Sequence, residues 1–113
     1  MATVIRTGPL PVMGSEKLTV SNTTKTLTSS VYRTGSGLSL KKAANATITI
    51  ETASIRVSFD PAVAPVDATS TGHVFAAGTV ITLESYTQIQ NFQAVRVGVS
   101  DATINVTYWE GTS

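Results

Sequence analysis

The residue types that carry out catalysis are few and scattered in this sequence. His73 is the only histidine and cysteine is absent, so a Ser-His-Asp triad would need His73 beside a serine and an acid that nothing local places there. Gly35-Ser36-Gly37 lacks the Gly-x-Ser-x-Gly pattern of a nucleophile elbow and is typical of a turn. The seven carboxylates stand apart along the chain, so local spacing indicates no general acid–base pair, although folding could bring distant ones together. We predict that the protein is not an enzyme.

The sequence also lacks the motifs that typically bind metals, cofactors or nucleic acids. A single histidine without cysteines does not make a zinc site unless carboxylates complete it, and no phosphate loop or dinucleotide fingerprint occurs. The net charge is +1, and the eight Lys and Arg stand singly apart from Lys41-Lys42, whereas phosphate binding needs a clustered basic face. No apolar run is long enough for a signal peptide or a membrane span. We predict no metal, no cofactor, no nucleic acid and no membrane partner.

Two further patterns have both a structural and a functional interpretation. Tyr108 and Trp109 end the last predicted strand, where we favour a buried or rim-packed pair over a platform that stacks on sugars or bases. The glycosylation pattern Asn-x-Thr begins at Asn22, Asn45 and Asn105. A chain with nineteen threonines produces this triplet by chance, and no secretion signal accompanies it. We therefore treat all three triplets as accidental.

Composition predicts the elements that must position any site. The chain has 113 residues, nineteen Thr, twelve Ser and only 13% charged residues. Thr, Val and Ile branch at Cβ, which lowers their helix propensity and suits them to a pleated sheet. A chain of this length usually has one hydrophobic core. The composition predicts a single all-β domain.

Alternating polar and apolar runs separated by turn residues predict seven or eight strands. We expect three hairpins, formed by Lys17–Val20 with Lys25–Thr28, by Thr47–Thr52 with Ile55–Phe59, and by Phe92–Gly98 with Ala102–Trp109. We expect Val31–Arg33 to continue the second strand, 79–83 to form a strand, and Tyr86, Ile89 and Phe92 to mark a helical turn. The predicted inward-facing residues are Ile48, Ile50, Ile55, Val57 and Phe59. This pattern fits one antiparallel β-sandwich over residues 16–113, jelly-roll-like in connectivity.

Residues 1–15 predict an extended N-terminal arm. Pro9 and Pro11 forbid a regular helix and cannot donate to an interior ladder. The apolar residues Ile5, Leu10, Val12 and Met13 then tuck against the domain or bury on another subunit, and we favour the second because exposed apolar segments usually mark a contact. His73 follows Gly72 in a predicted loop, where we expect a structural or interface hydrogen-bonding residue, with a metal ligand as the alternative. Ile5, Leu10, Val12, Met13 and His73 are the predicted partner interface.

Three stretches carry a resemblance to a known family. Ile55–Asp60, Thr71–Gly78 and Tyr86–Arg96 resemble, in their order along the chain, small β-sandwich virion proteins of tailed bacteriophages. Pro61 departs from the family, in which a glycine follows the strand-end aspartate. The resemblance implies an accessory virion component, and a capsid decoration or cement protein fits it best. Such a protein binds the major capsid protein or another virion protein on the head exterior, after synthesis in the bacterial cytoplasm.

The resemblance leaves two alternatives open. A head–tail connector or tail component would form a ring, and copy number per virion separates it from a decoration protein. A carbohydrate-binding module for surface attachment belongs to a different class, with Tyr108 and Trp109 as its candidates. Few charges blunt the edges of a sheet, so we expect a homo-oligomer, with a trimer favoured.

Overall fold

The computed structural model describes residues 12–35, 38, 40–59 and 72–110, of which 57% lie in strands and 13% in helices. The all-β class is confirmed, while the sandwich and jelly-roll descriptions stay predictions. The elements are β1 (Val12–Val20), β2 (Lys25–Thr26), α1 (Ser29–Tyr32), β3 (Arg33–Thr34), β4 (Lys41–Glu51), β5 (Ile55–Ser58), β6 (His73–Phe75), β7 (Val80–Leu83), α2 (Tyr86–Asn91), β8 (Gln93–Arg96) and β9 (Ala102–Glu110).

The strands form two antiparallel sheets. In the five-stranded sheet the order is β1-β9-β4-β3, and β7 pairs with β4 on the same side as β3. In the four-stranded sheet the order is β2-β8-β5-β6. The long strands β4 and β9 pair from Ala43↔Glu110 to Glu51↔Thr103 and form the centre of the five-stranded sheet. This pair fixes which residues share each face.

One hydrophobic core takes side chains from both sheets. Alternation along β4 places Ile48 and Ile50 inward, and β5 contributes Ile55 and Val57; all four are fully buried. Phe59 is partly buried and packs against the same cluster, with its ring 6.0 Å from that of Phe92. The predicted inward-facing set is therefore confirmed. Each fully buried aliphatic side chain contributes roughly 1.5–3 kcal/mol through the removal of apolar surface from water.

The three predicted hairpins are wrong, although their strands exist. β1, β4 and β9 lie in the five-stranded sheet, while β2, β5 and β8 lie in the four-stranded sheet. Each short turn thus crosses between sheets and does not close a hairpin. The β4–β5 turn contains Thr52 at φ 72, and the Thr52 hydroxyl donates to the carbonyl of Asp101 at 3.3 Å in the β8–β9 loop. Both sheets turn their apolar faces to one core, so a crossing turn preserves the burial that the alternation requires.

The strand predicted at residues 31–33 is wrong, and the helical turn predicted at residues 86–92 is confirmed. Val31 lies in α1 and Arg33 in β3, so the strand predicted there is absent; Thr28, which precedes α1, donates its backbone N–H to Oε2 of Glu16 at 3.1 Å. The helical turn predicted from Tyr86 to Phe92 is α2. Its N-cap Ser85 accepts a hydrogen bond from the backbone N–H of Gln88 at 3.1 Å, which satisfies one free donor of the first turn.

The last four residues of the predicted N-terminal arm belong to a strand. β1 begins at Val12, so residues 12–15 belong to a strand, while residues 1–11 lie outside the described residues. Gly14 allows α1 to approach this strand, since a Cβ at Gly14 would lie 3.3 Å from Cγ1 of Val31. None of the described helices is long and apolar enough to cross a membrane.

Candidate functional surfaces

The structure divides the predicted interface residues of the N-terminal segment. Ile5 and Leu10 lie outside the described residues. Val12 is 56% exposed at the start of β1, where it pairs with Trp109. Met13, in contrast, is half-buried and packs against the core. Of the described pair, Val12 is therefore the residue available to a partner.

His73 lies in a strand and not in the predicted loop. It is exposed at the start of β6 and pairs with Val57. β6 is an edge strand of the four-stranded sheet, and β1 is an edge strand of the other sheet. The structure therefore does not bring His73 and Val12 together in a strand pair. In the described part of the chain, no group of three His, Asp or Glu residues is arranged to hold a metal ion.

Gly72 explains why a glycine precedes His73. Its φ is +135°, and a Cβ at this position would lie 2.6 Å from the carbonyl oxygen of Val57. Real side chains do not tolerate such an approach to backbone. The glycine therefore lets the chain pass close to β5 and enter β6 beside it.

Tyr108 is fully buried on the inner side of β9. Its hydroxyl donates a hydrogen bond to Oε2 of Glu16, the same oxygen that accepts from the Thr28 backbone, and its ring centroid lies 5.7 Å from that of Tyr32. Burial raises the pKa of Tyr108 well above its usual value, and the hydrogen bond to the Glu16 carboxylate raises it further. Burial also raises the pKa of Tyr32. Tyr108 therefore joins β1, β9 and the start of α1, and it has no surface to offer a sugar.

Trp109 follows Tyr108 but points to the opposite side of the sheet. It is the only tryptophan in the chain and is half-buried. Its indole Nε1 donates to Oγ1 of Thr47 on the neighbouring strand β4 at 3.2 Å. The hydrogen bond holds the ring against β4 and leaves part of it accessible. The packed interpretation is thus confirmed for Tyr108, and Trp109 is the remaining aromatic candidate for ligand contact.

The side of the five-stranded sheet turned away from the core is here called the outer face. Strand pairing arranges its residues in rows across β1, β9, β4 and β7, and most of them are Thr, Ser or Asn. Neighbouring side chains in a row are about 4.8 Å apart, and successive rows are about 6.8 Å apart. The rows are Val12–Trp109–Asn45, Ser15–Thr107–Thr47–Thr82, Lys17–Asn105–Thr49–Val80 and Thr19–Thr103–Glu51.

Charged residues lie at the margins of these four rows and beyond them. Lys41 and Lys42, both exposed, precede the first row on β4. Lys17 lies on the edge strand β1 and Glu51 at the end of β4, and both are exposed. The central side chains of Asn45, Asn105 and Thr107 make no hydrogen bond with another described residue. The face can therefore donate and accept hydrogen bonds.

Sequence reasoning missed the outer face, although the sequence contained a signal for it. Two of the three Asn-x-Thr triplets, at Asn45 and Asn105, lie in strands, where residues two apart share a face. Each triplet therefore places an amide and a hydroxyl side by side. The pairing of Thr47 with Thr107 then sets the two triplets next to each other, and no local pattern encodes that pairing.

Comparison with known proteins yields no identification. No family model matches the chain, and no curated protein or solved structure shows significant similarity to it.

Proposed function

We propose that this chain is a non-enzymatic structural protein of a bacteriophage virion, a capsid decoration protein that binds and stabilises the head shell. The proposal combines the resemblance of three stretches to accessory virion proteins with the geometry of the N-terminal end. Its partner is the major capsid protein or another virion protein. Localisation on the head exterior belongs to the same proposal.

The observation that carries the proposal is the start of β1. Val12 exposes more than half of its surface where the chain enters the sheet, and the apolar residues Ile5 and Leu10 precede it. Exposed apolar surface is stabilised by burial against a partner, at about 25 cal/mol per Å² removed from water. Residues leading into an edge strand are well placed to reach that partner without disturbing the core.

Self-association is the second part of the proposal, and edge strands support it. Val74 on β6 and Val80 on β7 are 50% and 45% exposed, and the short segment 76–79 joins their strands. Edge strands with exposed apolar residues favour pairing with another chain unless they are protected. We propose that neighbouring copies cover this edge, with a trimer as the assembly.

The test is deletion of residues 1–11, which leaves β1 intact from Val12. We expect the variant to keep its cooperative unfolding and β-type circular dichroism, while its co-sedimentation with phage heads falls at least tenfold. Val99→Ser is the matched control, because Val99 is exposed in the β8–β9 loop, at the opposite end of β9 from Trp109. Attachment of this control should equal that of the wild type.

Two results would overturn the proposal. Wild-type occupancy of the truncated protein on heads would remove the N-terminal segment from the docking surface. Density for the chain only at the portal or tail in a particle map, with a copy number matching a ring, would identify a connector or tail component instead.

A further inference from the structure

The outer face of the five-stranded sheet is rich in uncharged polar side chains. Its central positions on β4 and β9 are Thr and Asn, and the one large aromatic among them is Trp109. Within the four rows the charged residues Lys17 and Glu51 stand at the margins, and Val12 and Val80 are the exposed aliphatic residues. A surface of this kind is neutral, rich in hydrogen-bonding groups and nearly free of aliphatic area.

This composition discriminates between classes of ligand. A stable protein partner usually buries an apolar centre. The centre of this face consists of threonine and asparagine side chains, and burying them costs free energy unless the partner supplies a hydrogen bond to each polar group. A nucleic acid needs several cations along its phosphates, and Lys17 is the one cation within the four rows, with Lys41 and Lys42 outside them at the start of β4. A neutral ligand that carries many hydroxyl groups matches the donors and acceptors without requiring charge or an apolar core.

The side chains of the face are also held in place before any ligand arrives. Threonine has restricted χ1 rotamers, and cross-strand neighbours half-bury Thr47, Thr49 and Thr107. The hydrogen bond to Thr47 fixes the Trp109 ring. Because these side chains are already ordered before a ligand binds, they lose less conformational entropy on association. Asn45 lies beside this ring in the first row and Asn105 lies in the third, and their amides make no hydrogen bond to another described residue.

From these observations we infer that the outer face is a binding site for a neutral polysaccharide, with Trp109 as the stacking platform and Asn45, Thr47, Asn105 and Thr107 as hydrogen-bonding groups. The inference goes beyond the proposed function. Val12 and Val80 lie at the ends of two rows of this face, so the proposed attachment and self-association border the site, and the inference requires the central residues on β9 and β4 to stay accessible. One site of this kind binds weakly, and many copies on one particle would raise the overall avidity.

Trp109 itself supplies the readout, since it is the only tryptophan in the chain. The probes are hydroxyethylcellulose, dextran and galactomannan, added to the full chain in separate titrations. With at least one of them we expect a change in tryptophan emission, protection from acrylamide quenching and retardation in native affinity gels. Dextran sulfate, an anionic probe, should bind no better than dextran.

Variants separate the outer face from the rest of the surface. Trp109→Ala and Thr107→Val should each weaken retardation, by roughly tenfold for the tryptophan, with unchanged circular dichroism. Thr26→Val is the matched control, because Thr26 is an exposed threonine on β2 in the other sheet. Lys17→Ala should leave retardation unchanged, since the ligand is neutral.

Three outcomes would overturn the inference. The first is no emission change and no retardation with any of the three polysaccharides. The second is retardation that Trp109→Ala and Thr107→Val leave intact. The third is sedimentation showing that copies of the chain associate through this face and dissociate in Thr107→Val. The first two results do not bear on attachment to phage heads or on self-association. The third would move the contact between copies onto this face and still allow a head-bound trimer, so the inference can fail while the proposed function stands.

Discussion

Along β4 and β9 the two sides of one sheet have opposite chemistry. Between Ala46 and Ile50 and between Ala102 and Tyr108, even-numbered residues face the core and are buried, whereas odd-numbered residues lie on the outer face. Ile48 lies between Thr47 and Thr49, and Val106 between Asn105 and Thr107. Because side chains alternate along a strand, the residues that stabilise the core lie on one side of the sheet and the hydrogen-bonding residues lie on the other.

Residues of the outer face can therefore be exchanged with little loss of stability. Threonine is branched at Cβ like valine and suits a strand whether or not its hydroxyl has a partner. Replacing outer-face residues therefore changes the surface chemistry while the core stays packed. The inner residues do not have this freedom, because each fills space shared with the other sheet.

The largest expected effect separates two adjacent residues on β4. Ile50→Ala removes three buried carbons and should lower the free energy of unfolding by about 2–5 kcal/mol. Thr49→Ala, on the outer face, should lower it by less than about 1 kcal/mol. Urea denaturation followed by circular dichroism measures both. A loss below about 0.5 kcal/mol for Ile50→Ala would show that the two faces are assigned the wrong way round.

The next effect concerns the polar contact on the inner side, and its control is a neighbour on the outer side. Tyr108→Phe removes one of the donors to the Glu16 carboxylate and should cost about 1–3 kcal/mol at neutral pH. Trp109→Phe keeps an aromatic ring on the outer face and should cost less. Equal losses in the two variants would contradict the distinction between the faces.

The pH dependence sharpens the same prediction. The pKa of Tyr108 is raised in the folded state from the usual 10.0, chiefly by burial. A group whose pKa is raised by folding contributes fully to the free energy of unfolding at pH values below its pKa in the unfolded chain. This contribution is lost progressively as the pH rises above that pKa. Above about pH 10 the unfolded chain releases this proton and the folded chain does not, so stability should fall by roughly 1 kcal/mol per pH unit for this group. Tyr108→Phe should show a shallower fall than the wild type in urea titrations from pH 9 to 11.

Much of the fold could be predicted from the sequence because alternation is a local signal. Ile48, Ile50, Ile55 and Val57 were assigned inward from period-two spacing alone, and all are buried. Sheet membership is not local. A turn of three residues at 52–54 can close a hairpin or cross to a second sheet, and only the shared core selects the crossing.

α1 and the candidate site escaped prediction for a similar reason. The Thr28 backbone, just ahead of α1, is held by Glu16 twelve positions earlier, a contact that local propensity does not contain. On the outer face, the amide and hydroxyl pairs within each strand are readable from the Asn-x-Thr triplets. Their assembly into a surface depends on the β4–β9 register, which pairs Thr47 with Thr107, a residue far along the sequence.

The smallest expected effect is the most direct test of the outer face. Thr107 is half-buried, its hydroxyl has no hydrogen bond to another described residue, and valine has nearly the same shape and a higher strand propensity. Thr107→Val should therefore change the free energy of unfolding by no more than about 0.5 kcal/mol in either direction. Thr26→Val in the other sheet is the control in the same urea assay. A loss above about 1 kcal/mol in Thr107→Val alone would mean that this hydroxyl supports the fold, and the outer face would then be part of what holds the sheet together.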